Sequence, residues 1–64
     1  MITDHEKNNI DEIIRGEGDW FNAHLIRLIA KADAKNRKKL YWAFPSVVEY
    51  VHKHLTGTNL ENED

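Results

Sequence analysis

The sequence predicts an all-α fold, a small bundle of three to four helices completed by homo-oligomerisation. Three observations predict it. Apolar residues recur at helical spacing in four segments, and no segment alternates with a period of two. Capping residues and glycines punctuate those segments. The chain has 64 residues and no cysteine, so a lone copy buries a small core without disulfide support. Self-association is the remaining way to bury more surface.

The first helix opens on Thr3 and Glu6 at capping-box spacing and continues through Ile10, Ile13 and Ile14. Asn8 and Asn9 weaken it, and Gly16 and Gly18 end it. Asp19 is placed to cap the second helix, which runs without Gly or Pro from Trp20 to Ala32. Phe21, Leu25, Leu28, Ile29 and Ala32 share about 100° of arc and form its expected core face. Ile26 lies off that stripe beside Ala23 and Ala30, a second apolar surface that suits another helix or another subunit.

Asp33 is a natural cap for a third helix from Ala34 to Phe44, the alternative being one continuous helix through Asp33. Pro45 breaks the run. Ser46 and Glu49 then stand at capping-box spacing, or Pro45 itself takes the first helical position. Val47, Val48, Val51 and Leu55 form the inner stripe of the fourth helix, and Gly57 stops it. The expected domain is therefore residues 1–57, followed by a disordered acidic tail over 58–64.

Charge is segregated beneath the net value of −2. Residues 1–19 carry Asp4, Glu6, Asp11, Glu12, Glu17 and Asp19 against Lys7 and Arg15. Residues 20–55 are basic, and the end of the chain is acidic again. This layout fits an anion site on the folded middle, ends that neutralise that middle, or head-to-tail contact between copies. No apolar run is long enough to span a bilayer and no signal-peptide core opens the chain, so a cytoplasmic location is expected.

Two constellations are candidate ligand-binding sets. Trp20, His24, Arg27 and Lys31 recur along one side of the second helix within about 60° of arc. An indole beside nitrogen donors suits a stacked nucleobase with its phosphate held by Arg and Lys. The bland alternative is filler and solvated charge. The second set is Lys35, Arg37, Lys38 and Lys39 with Tyr41 and Trp42, the composition of a nucleotide or single-strand surface. Leu40 and Phe44 show that this helix also packs.

Metal and catalytic chemistry find no support in the sequence. His52 and His54 diverge by about 200° on a helix, and His24 has Leu28 rather than a ligand four residues on. Tyr50 and His54 stand at i, i+4 and suit a hydrogen-bonding pair at a subunit contact. No glycine-rich phosphate loop, Gly-x-Ser-x-Gly turn or cysteine nucleophile occurs, and Asp11 and Glu12 point apart. A non-enzymatic protein without metal or cofactor is the expectation.

The stretch from Gly18 to Val51, GDWFNAHLIRLIAKADAKNRKKLYWAFPSVVEYV, resembles a group of small, mostly phage- or prophage-encoded proteins. Their pattern runs G-D-W-F-x-A-x-L-x-R-L-I-x-K-A-D, then N-R-x-K-L, then F-P. The resemblance implies an all-helical, oligomeric accessory protein that counters host defence. It would do so by sequestering an anionic nucleotide-type signal, or by blocking a host defence protein as an inhibitor or adaptor. The matching positions are Trp20, Arg27, Lys31, Asp33, Asn36, Arg37 and Lys39; where the group has Pro or Gly after Lys-Ala-Asp, this chain has Ala34 and Lys35. A third reading is a small nucleic-acid-binding regulator using residues 35–42, which the acidic tail and net negative charge oppose.

Overall fold

A computed structural model describes residues 2–60. Among them are five helices and no strand: α1 (Asp4–Asn8), α2 (Ile10–Ile14), α3 (Phe21–Lys31), α4 (Ala34–Ala43) and α5 (Pro45–Thr56). The all-α expectation holds, with one helix more than expected. The radius of gyration is 10.7 Å, the size expected for a folded chain of this length, about 11 Å.

The extra helix comes from a break at Asn9. Thr3 and Glu6 make the expected capping box at the start of α1. Asn9 then leaves helical geometry, and its side-chain amide donates to the His5 carbonyl at 2.8 Å. An asparagine that bonds its own backbone competes with the helical ladder, so the chain turns and restarts as α2. Ile10 and Ile13 reach the core from α2.

The rotation of α3 differs from expectation by about a quarter turn. Its buried residues are Ala23, Leu25, Ile26 and Ile29. Phe21 and Leu28, expected inside, are 67% and 53% exposed. The helix carries apolar residues on two sides, and local spacing ranks the larger ones first. Packing prefers the other side: Ala23 and Ile26 are fully buried in the core cluster, and α3 packs against α2 and α5. Asp19 is not the cap either. Trp20 holds the N-cap position and makes no side-chain cap bond.

Asp33 caps α4 as expected, its Oδ1 accepting the Asn36 N–H at 2.9 Å. Ala32 is extended before it, so α3 and α4 are separate helices. Pro45 occupies the first turn of α5, and Ser46 makes no cap bond. Glu49 instead accepts the Leu60 N–H at 3.1 Å. Val47, Val48 and Val51 are buried, whereas Leu55, placed on the same stripe, is exposed. Gly57 ends α5 with φ +80°, a left-handed conformation that glycine adopts without penalty.

Leu60, placed in the tail expected from residue 58, is 2% exposed and belongs to the core cluster. A single leucine in a polar stretch carries no periodic signal, and only the returning chain shows where it lands. Residues 61–64, the rest of the expected tail, lie outside the described residues.

Candidate functional site

The residues of the stripe expected on α3 are divided between separate parts of the fold. Trp20 lies over the α2–α3 connection, and its indole N–H donates to Glu6 Oε2 at 2.7 Å. Its ring covers Gly18 so closely that a Cβ there would clash with the ring carbons. The shallow cleft beside it, about 330 Å³, is bordered by Glu12 and Glu17, which repel an anion. The ring of His5 stands 6.0 Å from that of Trp20.

Arg27 is occupied by backbone. Its Nη1 donates to the carbonyls of Ile13 and Glu17, each at 2.9 Å, and its Nη2 to that of Gly18 at 2.6 Å. The Ile13 carbonyl, at the end of α2, is shared with the Gly16 N–H at 3.1 Å, and the other two lie just after the helix. The guanidinium is a clamp on the α2–α3 connection. His24 Nε2 is 3.1 Å from the Asp19 carbonyl, and its Nδ1 is 3.4 Å from Arg27 Nη2. Lys31 lies elsewhere, beside Leu28 and Lys39 in the groove between α3 and α4.

Arg37, counted in the second ligand set, is also structural. Its Nε donates to the Ile29 carbonyl at 2.9 Å and its Nη2 to that of Ala30 at 3.2 Å, which satisfies the C-terminal end of α3. Its Nη1 donates to His52 Nδ1 at 2.9 Å. His52 is 2% exposed, at the position four residues after Val48 that continues the buried valine stripe. That spacing is the signal by which the sequence could have placed it inside. His54, on the opposite side, reaches Asp11 Oδ1 at 2.7 Å rather than Tyr50. Tyr50 receives the Lys7 ammonium over its ring at 5.4 Å.

What the structure does bring together is the outer face of α4. Lys35, Lys38, Lys39 and Trp42 fall within about 100° of arc, and all four are exposed. Trp42 is 90% exposed. Lys38, Tyr41 and Trp42 border a cleft of about 240 Å³ whose floor is Leu60. No acidic residue interrupts α4, whose sequence is AKNRKKLYWA. The helix buries none of its residues fully.

Glu6 is the polar residue whose role the sequence only half reveals. Its place in the capping box is legible, but its Oε1 and Oε2 also accept from Asn22 and Trp20. Burial raises its pKa, and hydrogen bonds from the Thr3 backbone, Trp20, Asn22 and the Thr3 hydroxyl outweigh burial and hold it below the ordinary carboxylate value.

Among the described residues no group of three or more His, Cys, Asp or Glu side chains is arranged to hold a metal ion. No helix among them is long and apolar enough to cross a membrane. No family model, curated protein or solved structure matches the chain.

Proposed function

We propose that this is a non-catalytic binding protein that takes an aromatic anion of the nucleotide class on the outer face of α4. The base stacks on Trp42 against the cleft bordered by Tyr41, and the phosphate is held by Lys35 and Lys39, with Lys38 beside them. The carrying observation is Trp42 itself, an indole 90% exposed on a helix that bears three lysines on the same face. An indole left in water keeps a large apolar ring available to a stacking partner, and neighbouring ammonium groups select one that is anionic. Arg27 and Arg37 take no part, since both are committed to backbone carbonyls.

The role this chemistry supports is sequestration rather than turnover, because the face has a stacking platform and cations but no nucleophile–base pair. It is one of the two roles that the resemblance to small phage-encoded proteins implies, the other being the block of a host defence protein.

Tryptophan fluorescence and thermal shift at low salt test the proposal with mononucleotides, cyclic di- and trinucleotides and a short single-stranded oligonucleotide. The expected result is quenching by a small nucleotide that Trp42→Phe abolishes and Lys35→Ala with Lys39→Ala weakens. Preferential binding of the oligonucleotide would move the protein to the nucleic-acid class. No response to any probe overturns the proposal.

A further inference from the structure

The groove between α3 and α4 is the other feature that the fold leaves open. Phe21, Leu25, Leu28, Leu40 and Phe44 line it, and the rings of Phe21 and Phe44 stand 5.9 Å apart. It continues past Leu28 to Lys31 and Lys39. Phe21 and Leu28 are its most exposed apolar members. They are seven residues apart on α3, about 10 Å along the helix axis.

We propose that a second copy of this chain docks here, its α3 antiparallel to the first about a two-fold axis near Leu25. The charges carry this choice of occupant. Asp19 lies just before Phe21, and His24 Nε2, 3.1 Å from the Asp19 carbonyl, ties it to the end of the groove. Lys31 lies just after Leu28 and borders the other end. The face therefore reads acid, apolar, apolar, base along α3, an order that is complementary to itself only when reversed.

In the antiparallel arrangement Asp19 of each copy meets Lys31 of the other, and Phe21 of each meets Leu28 of the other. One axis position serves both pairs. The two helix dipoles also oppose each other. A parallel arrangement would place Lys31 against Lys31. An isologous contact of this kind closes after two copies and leaves no surface for further growth.

The dimer does not depend on what α4 binds. Leu40 and Trp42 diverge by about 200° on the helix, so docking at the groove leaves Trp42 and Lys35 open, with Lys39 on the border between the two surfaces. Each dimer would then present two ligand faces.

Native mass spectrometry and sedimentation equilibrium on the full chain test the interface. The wild type is expected to be dimeric at micromolar concentration, and Leu28→Asp monomeric with an unchanged helical circular dichroism spectrum, since Leu28 lies outside the core. Asp19→Lys alone and Lys31→Glu alone each turn two exposed ion pairs into repulsions, and each should weaken the dimer about tenfold. An equimolar mixture of the two variants should restore association as a heterodimer, because both cross-pairs become opposite in sign. A wild type monomeric into the millimolar range overturns the proposal. So does a dimer that Leu28→Asp leaves intact, a mixture that forms no heterodimer, or a monomer whose groove takes a different protein.

Discussion

Nη1 of Arg37 stands 2.9 Å from Nδ1 of His52, joining α4 to α5 at the point where the same guanidinium holds the last carbonyls of α3. Three helices meet on one side chain. A guanidinium offers five donors in a fixed plane, and this junction uses its three nitrogens in different directions. Lysine has a single ammonium and cannot reach all three acceptors. Arg37→Lys is therefore expected to destabilise the fold by at least about 2 kcal/mol, with little rescue relative to Arg37→Ala. Urea denaturation followed by circular dichroism measures it. Equal stability of the lysine variant and the wild type would contradict the structural role.

Arg27 gives a second, contrasting expectation. Removing its guanidinium takes a hydrogen-bond donor from the carbonyls of Ile13, Glu17 and Gly18, of which Ile13 keeps the Gly16 N–H. Arg27→Ala is expected to cost about 1–3 kcal/mol and to speed amide hydrogen exchange across residues 16–20. Nucleotide affinity, measured under conditions where the variant is folded, should be unchanged. A selective loss of ligand with full stability would instead return Arg27 to the binding site.

The Glu6 carboxylate makes stability depend on pH in a defined direction. Its pKa in the folded chain lies below the ordinary value, because hydrogen bonds from Thr3, Trp20 and Asn22 outweigh its burial. A carboxyl group of this kind stabilises the fold fully above its unfolded pKa, and the contribution fades as the pH falls through the folded value. Glu6→Gln is expected to be less stable than the wild type by about 1–3 kcal/mol at neutral pH. The gap should narrow below about pH 5. Thermal melts of both proteins between neutral and acidic pH check the sign. A gap that widens in acid would refute it.

Much of the secondary structure was legible because its signals are local. Thr3 with Glu6, Asp33 with the Asn36 N–H, and Gly57 at the end of α5 each act within one turn of the chain. Leu60 was not legible, because its burial depends on the chain returning to α5, where Glu49 accepts its N–H. The candidate site was legible in part. Lys38, Tyr41 and Trp42, grouped by composition, border one cleft, whereas Trp20, Arg27 and Arg37 make hydrogen bonds within the fold. An arginine on a helix looks the same in sequence whether solvent, ligand or a neighbouring carbonyl awaits it.

By itself the sequence determined that the chain is helical, where most helices begin and end, and that its cations gather in the middle. Those properties follow from interactions between residues at most a few positions apart. Tertiary structure decided which side of α3 faces inward, which arginines clamp backbone, and which aromatic ring stays in water. Each of these depends on groups distant in the chain that meet only after folding: Ile26 in the core cluster, Trp20 on Glu6, and Arg37 on His52. Periodicity marks two apolar sides of α3 alike, and only the buried contacts of the folded chain choose between them.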